Sequence, residues 1–183
     1  MLLNLLVYGL LIAVLVAAAG LAGRMMGVPP ARRPNGAITA NPWVEAECAF
    51  DRALGEHKRR YYAAALVGRA ARLNLTCIDE AAPFARLGQH PLGERVVPLR
   101  DVIGTVGRAG QTFDREFRPT RQRARDRFQR VFVAMSRGEP LPPVDLYQWH
   151  GHYYVSDGHH RIAAARAMGL DYLAGQITDL VGQ

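Results

Sequence analysis

The feature that most constrains this chain is an uncharged run at its start. Residues 2–23 contain no charged side chain, and Asn4 is their only strongly polar residue. As a helix the run would span about 30 Å, which matches the hydrocarbon core of a bilayer. A helix on the surface of a soluble domain would carry a polar face, which this run lacks. The run therefore predicts a transmembrane anchor over residues 1–26.

Flanking charge predicts how this anchor is oriented. Arg24, Arg32 and Arg33 follow the run, whereas only the α-amino group precedes it. The positive-inside rule then predicts a single-pass protein of the inner (cytoplasmic) membrane, with its C-terminal domain in the cytoplasm. Two alternatives stay open. The small residues at 17–23 suit a signal-peptide cleavage site, although a basic start is missing. A misassigned start codon would instead leave a soluble cytoplasmic protein.

Proline and glycine punctuate the chain after the anchor. Three prolines and Gly36 predict an extended linker. Asn41 followed by Pro42 is typical of a helix start, and Gly55 is a candidate break between two helices. We expect an anchor at 1–26, a linker at 27–41, a helical segment at 42–94 and an α/β domain at 95–183.

Apolar periodicity predicts the elements of the α/β domain. Two β-branched and aromatic runs, at 144–148 and 152–156, flank a tight turn and predict a hairpin. Asp157 is typical of an N-cap for a helix over 158–168, and Gly169 of its C-terminal stop. The other elements predicted are a short strand at 96–99, a turn with helical character at 101–108, a helix at 119–137 and a strand at 174–178. The fold class is therefore α/β, a small mixed sheet with helices.

Charge and cysteine usage narrow the partners. The net charge is +7, and Lys58 is the only lysine, so arginine supplies nearly all the positive charge. This balance favours anionic partners such as nucleotides, nucleic acid or an anionic membrane surface. The basic residues 57–60 are either a solvated helix face or a contact to anionic lipid or nucleic acid. Cys48 and Cys77 have no metal-ligand spacing, so we expect reduced thiols and no metal site.

The string Asp157-Gly158-His159-His160-Arg161 carries the clearest chemistry. It follows a predicted strand and opens a helix, where unpaired N–H groups and the helix dipole favour phosphate. Gly158 allows close backbone approach, the two imidazoles add donors, and Arg161 adds a cationic fork. The predicted phosphate-binding residues are thus Gly158, His159, His160 and Arg161. Asp157 and His159 are the catalytic candidates, with a plain N-cap as the alternative for Asp157.

The C-terminal half of the chain resembles the ParB/sulfiredoxin superfamily. The resemblance rests on Leu-Pro-Pro-Val-Asp-Leu-Tyr at 141–147, on Tyr-Tyr-Val-Ser-Asp-Gly-His-His-Arg at 153–161 and on the alanine-rich stretch at 163–169. It extends more weakly back to Val96. It implies the mixed sheet and helices of that superfamily.

The motif separates three activities within the superfamily. Sulfiredoxins carry a catalytic cysteine two residues before the motif arginine, where this chain has His159, so sulfinic-acid reduction is not expected. Chromosome-partition ParB proteins carry a Gly-Glu-Arg-Arg version that binds CTP, followed by a helix-turn-helix domain for which we expect no room before Gln183. The free-serine kinases use an Asp-Gly-His-His-Arg string. That likeness implies ATP or ADP binding, with Mg²⁺ as a companion ion, and phosphoryl transfer to a small hydroxyl compound.

The resemblance also implies supporting residues upstream of the motif. An acidic base is expected from the N-terminal part of the domain, and auxiliary arginines are expected beside the pocket. The candidate bases are Asp101, Asp114 and Glu116, and the candidate arginines are Arg108, Arg121 and Arg125.

Three functions therefore compete. The first is a membrane-anchored nucleotide-binding domain that acts as a phosphotransferase. The second is a nucleic-acid-binding module using the arginines at 118–130, although Phe128 is the one aromatic residue among them. The third is a non-catalytic scaffold that senses a nucleotide.

Overall fold

The structure is a computed structural model that describes residues 41–80, 84–107 and 112–182. Residues 39–183 form one compact unit, which contains the whole described core. The predicted anchor over 1–26, the linker up to residue 40 and Arg108 lie outside the described residues. Within the described ranges, no helix is both long enough and apolar enough to cross a membrane.

The described residues of this unit contain three α-helices and six strands, joined by short 3-10 turns and loops. The helices are α1 (Pro42–Leu66), α2 (Arg125–Ser136) and α3 (His159–Ala167). The strands are β1 (Thr76–Cys77), β2 (Gly88–Pro98), β3 (Val102–Thr105), β4 (Val144–Trp149), β5 (His152–Asp157) and β6 (Tyr172–Val181).

The strands form one mixed sheet in the order β1-β3-β5-β4-β6-β2. The β4–β5 and β2–β6 pairs are antiparallel, whereas β1–β3, β3–β5 and β4–β6 are parallel. The mixed α/β sheet that the sequence predicts is therefore confirmed. Thr105 at the end of β3 lies opposite Val155 of β5. This register brings the ends of two parallel strands to the edge where α3 begins.

The three helices share one core with one face of the sheet. Phe50 of α1 and Phe128 of α2 are fully buried, and their rings meet edge to face with centroids 5.4 Å apart. Burying each such ring stabilises the fold by about 1.5–3 kcal/mol. The buried residues 162–165 of α3 include three alanines, which let that helix lie close to β4 and β5. The core thereby fixes the start of α3 against the sheet.

Both long helices differ from their predicted bounds. α1 runs through Gly55 without a break and ends at Leu66. α2 begins at Arg125, six residues later than Pro119 suggests. The reason is that residues 112–120 fold back on themselves, with the N–H of Thr120 donating to the carbonyl of Thr112 at 2.9 Å. A helix starting at Pro119 would break that pairing.

The strands before the hairpin also differ from their predicted bounds. β2 begins at Gly88 and passes through residue 95, where the sequence suggested that the α/β domain starts. It pairs with β6 along its length, a long-range partner that local sequence patterns do not reveal. Residues 102–105, expected in a turn, form β3 because they lie between β1 and β5.

Candidate functional site

The turn between β5 and α3 is built around Gly158. This residue has φ +100°, and a Cβ there would lie 2.6 Å from Cγ1 of Val144. It occupies the N-cap position of α3, and no side chain caps the helix. The prediction that Asp157 is the N-cap is therefore wrong, because Asp157 still belongs to β5. The first N–H groups of α3 are left to face the space beyond the turn.

A cavity of about 440 Å³ opens at this helix start. All four predicted phosphate-binding residues line it, together with the catalytic candidate Asp157. Its wall consists of Thr112, Phe113, Arg127, Val131, Leu141, Pro142, Asp157, Gly158, His159, His160 and Arg161. Segments far apart in sequence thus meet at the motif.

His159 is held in place by Thr105. Its Nε2 lies 2.9 Å from the Thr105 Oγ1, which also accepts the N–H of Gly107 at 3.2 Å. The Thr105 hydroxyl lies 3.1 Å from the carbonyl oxygen of Val155 and donates to it. With its hydrogen directed there, the hydroxyl accepts Nε2–H of His159. The Nδ1 of the imidazole then carries the lone pair, so His159 is oriented as a neutral ring with one acceptor.

Burial keeps both motif histidines neutral near pH 7. Burial lowers the pKa of His159 to about 4, while negative Asp157 raises it and positive Arg127 lowers it further. Burial also lowers the pKa of His160 to about 4, with Arg127 and His159 lowering it further and Asp157 opposing them. Each ring therefore offers one N–H and one lone pair rather than two donors.

Arg161 is used largely within the fold. Its side chain is 12% exposed, and one Nη donates to the carbonyl oxygens of Pro142 and Pro143, the latter at 2.7 Å. The other Nη donates to Oδ2 of Asp157 at 2.6 Å. Arg161 therefore connects the 142–143 segment to the motif and orients the carboxylate at the mouth of the cavity.

Arg127 is the cation that sequence reasoning missed. It is exposed on α2 and lines the cavity, and it makes no hydrogen bond or ion pair within the described ranges. Arg125, which was expected there, instead pairs with Glu47 and Asp51 and lies over the Phe50 ring. Arg121 does not line the cavity either. Helical spacing is the sequence signal that singles out Arg127, because Arg127 precedes the cavity residue Val131 by one turn of α2.

The three candidate bases lie elsewhere. Asp114 is 1% exposed and accepts hydrogen bonds from the backbone and from Arg118. Glu116 faces Arg166. Asp101 lies just before the first residue of β3, whereas Thr105 is the last residue of that strand, so the two are at opposite ends of β3. Of the carboxylates that the structure describes, Asp157 is the one that lines the cavity. The described residues contain no group of three or more His, Cys, Asp or Glu side chains placed to hold a metal.

Stability should fall with acid because these imidazoles are neutral in the fold. The folded pKa values near 4 lie below the usual 6.5, so the unfolded chain binds protons first. The contribution of the two imidazoles to the free energy of unfolding is then constant above about pH 6.5. It falls as the pH drops from about 6.5 to 4, and it becomes constant again below about pH 4. Between pH 7 and 5 we expect a loss of roughly 2 kcal/mol for the pair, after discounting for partial exposure. Urea unfolding across this range measures it.

The matched control is a histidine on the exposed start of β5. His152→Gln should keep the acid dependence, whereas the double variant His159→Gln, His160→Gln should flatten it. If the double variant kept the same dependence of unfolding free energy on pH, the acid sensitivity would belong to other groups.

Comparison with known proteins adds one distant likeness. No protein-family model matches the chain, and no curated protein matches it. Among solved structures, the sulfiredoxin from Arabidopsis thaliana is similar with a TM-score of 0.35 and 19% identity, covering 46% of this chain and 82% of that chain. A likeness at this level does not identify a fold family or an activity.

Proposed function

We propose that the cavity at the start of α3 binds the phosphate groups of a nucleotide, with ATP, ADP and CTP as candidates. The observation that carries the proposal is the convergence of the uncapped helix start, Gly158 and Arg127 on one cavity. A volume of about 440 Å³ is within the range of small-molecule sites.

Each part of the cavity suits an anion. The first N–H groups of α3 are aimed by the helix and reinforced by its dipole. Gly158 permits the positive φ and the close approach to Val144 on which this turn depends. The neutral ring of His160 can donate one hydrogen bond, whereas the N–H of His159 is already donated to Thr105. Arg127 supplies a positive charge that the described part of the fold leaves uncommitted.

A second cavity supports a nucleotide over a bare phosphate. It measures about 240 Å³ and shares Leu141, Pro142 and Arg161 with the first cavity. Its remaining wall includes apolar side chains such as Met135 and Leu173. A base or sugar could lie there while the phosphates meet the start of α3.

The same cavity suggests a phosphotransferase. In that reaction the Asp157 carboxylate accepts the proton of an acceptor hydroxyl, whose oxygen bonds to phosphorus as the bond to the leaving phosphate breaks. His159, whose Nε2–H is donated to Thr105, would accept a hydrogen bond through Nδ1 rather than donate to a phosphate oxygen. Magnesium would accompany the nucleotide here, because Mg²⁺ keeps several of its waters and is held largely by substrate phosphates. The Asp157 carboxylate would then remain available to the acceptor hydroxyl. The alternative is a nucleotide-sensing scaffold, which binds without turnover.

The nucleic-acid alternative has less support. Two arginines of the 118–130 cluster are engaged in ion pairs, Arg118 with Asp114 and Arg125 with Glu47. They are therefore not available as a row of phosphate contacts.

Binding should depend on Arg127 more than on its neighbours. We expect Arg127→Ala in residues 39–183 to weaken nucleotide binding about tenfold, since one charge-assisted hydrogen bond contributes roughly 1.5–3 kcal/mol. Arg121→Ala is the matched control, because Arg121 is exposed but lies outside the cavity. Calorimetric titration with ATP, ADP, CTP and GTP, with and without magnesium, measures both. Arg161→Ala is a less clean probe, because Arg161 also braces the 142–143 segment.

Two results would count against the proposal. Absence of binding by the folded wild type at millimolar nucleotide would remove it. Equal weakening by Arg121→Ala would show only a diffuse attraction between opposite charges.

Asp157→Asn should keep binding and abolish transfer if the domain is a phosphotransferase.

The tether of this domain is a separate part of the proposal. The uncharged run at 2–23 and the arginines after it support a single-pass anchor with the nucleotide-binding domain in the cytoplasm. Reporter fusions at Gln183 test this. A cytoplasm-specific reporter should be active and recovered with membranes, whereas activity of a periplasm-specific reporter would contradict the orientation.

A further inference from the structure

The far end of α1 extends beyond the core. Leu54 is the last buried residue of the helix. Within the described residues, the last ion pairs from α1 to other parts of the unit are Glu56 with Arg118 and His57 with Asp114. From residue 58 to 66 every side chain is exposed except that of Ala64, which is half-buried. This part of the helix is a projecting arm with an open surface.

One side of the arm combines basic and apolar residues. Lys58, Tyr62 and Leu66 follow each other at four-residue steps, so they lie on the same side of the helix, and Arg59 lies beside them. Tyr62 is 67% exposed and Leu66 is 85% exposed. We call these four residues the distal α1 surface. Arg60 lies on a different side and pairs with Glu56 at 2.8 Å.

We propose that the distal α1 surface binds an anionic phospholipid bilayer. Lys58 and Arg59 suit the negative headgroups, while Leu66 can enter the boundary between headgroups and acyl chains. Tyrosine is favoured at that depth, because its ring is apolar and its hydroxyl remains hydrated. A bilayer therefore matches all four residues.

Other occupants match the surface less well. The phosphate backbone of a nucleic acid would attract Lys58 and Arg59 but would leave Leu66 in water. A second copy whose α1 ran parallel to this one would bring its own Lys58 and Arg59 against the same charges, and an antiparallel copy would set them against Leu66.

The sequence before α1 points to the same partner. Residues 2–23 are uncharged and are followed by arginines, as expected of a chain held at a bilayer. To this extent the proposed bilayer contact rests on the proposed anchor.

Vesicle binding by residues 39–183, which lack the uncharged run, tests the proposal. We expect sedimentation with phosphatidylcholine vesicles that contain phosphatidylserine, and much weaker binding to phosphatidylcholine alone. Lys58→Glu with Arg59→Glu should weaken partitioning at least tenfold. Tyr62→Ser with Leu66→Ser should weaken it severalfold, and this effect should persist at high salt because it is not electrostatic.

The matched control changes the same residue types on the edge strand β2. Arg95→Glu with Val96→Ser alters an exposed arginine and a neighbouring exposed apolar residue, and it should leave vesicle binding within a factor of two. Circular dichroism checks that every variant is folded.

Three outcomes would overturn the proposal. The first is absence of binding to anionic vesicles by the folded wild type. The second is equal weakening by the β2 control. The third is vesicle binding that is unchanged in the variant Tyr62→Ser, Leu66→Ser. That result would leave only a non-specific attraction between the positive charges and the lipid headgroups. Loss of self-association in the Tyr62, Leu66 variant, with no vesicle binding by the wild type, would assign the surface to a second copy. These results do not depend on the nucleotide cavity.

Discussion

Replacing Gly158 with alanine should lower the free energy of unfolding by about 2–5 kcal/mol. A left-handed φ costs a non-glycine residue roughly 1–2 kcal/mol. Overpacking costs about 1–3 kcal/mol more, because the new Cβ would lie 2.6 Å from Cγ1 and 2.9 Å from Cβ of Val144. Val144 is buried in β4 and cannot move without disturbing the sheet. Valine at 158 should be worse, because its branches add to the same collision.

Gly169 provides the matched control at the other end of α3. It has φ +73°, yet nothing lies within 4 Å of its added Cβ. Gly169→Ala should therefore cost only the backbone strain, about 1–2 kcal/mol. Urea unfolding of both variants separates packing from strain. Equal losses would mean that the sheet yields at Val144 and that the close approach of the turn to β4 is not a constraint.

Local sequence signals predicted the region around the motif well. The hairpin of β4 and β5, the strand-to-helix turn and α3 all lie close to their expected positions. The reason is that these elements are contiguous and their turns carry glycines, with Gly151 at φ +78° and Gly158 at φ +100°. The exception is Asp157, where the N-cap preference yields to Gly158, since only a residue without Cβ fits against Val144.

Long-range contacts explain what the sequence did not predict. β1 is two residues long and exists because it pairs with β3. α2 begins at Arg125 because the segment before it folds back on itself, and its late start left the positions of its arginines unpredicted. Arg125 therefore faces Glu47 of α1, whereas Arg127 reaches the cavity. Charge counts along the sequence cannot separate the two without the helical phase.

Arg161, the arginine of the motif, also has contacts that the sequence did not predict. A guanidinium beside a helix start predicts a phosphate ligand, and that prediction stays open. The structure adds that Arg161 braces Pro142, Pro143 and Asp157. Loss of binding in an Arg161 variant would therefore combine two effects, whereas Arg127 reports on the cavity alone.

The second large effect is expected at Asp114. Asp114→Ala should lower the free energy of unfolding by about 3–5 kcal/mol, the usual cost of breaking a buried ion pair by removing one partner. Its Oδ1 accepts the N–H groups of Glu116 and Arg118, each at 2.9 Å. Its Oδ2 lies 3.0 Å from Nε of Arg118 and 3.1 Å from Nδ1 of His57. Removal would leave the Arg118 guanidinium, 14% exposed, without its nearest carboxylate.

Asp101→Ala is the control, because Asp101 is another acidic residue that the family resemblance offered as a base. Its carboxylate is partly exposed and lies 3.7 Å from Arg100, so the variant should stay within about 0.5 kcal/mol of wild type. Chemical unfolding of the two variants measures this difference. A small loss of unfolding free energy in Asp114→Ala would mean that the four donor groups around Asp114 form other hydrogen bonds in the variant.

Asparagine variants of Asp114 and Asp157 separate a structural aspartate from a catalytic base. A base must reach the acceptor hydroxyl within hydrogen-bond distance, but Asp114 is buried and both of its oxygens already accept hydrogen bonds. If transfer activity exists, Asp114→Asn should therefore reduce it only in proportion to the folded fraction, whereas Asp157→Asn should abolish it in fully folded protein. Full loss of transfer in folded Asp114→Asn, with nucleotide binding intact, would instead place the base at Asp114 and require residues 112–120 to open during the reaction.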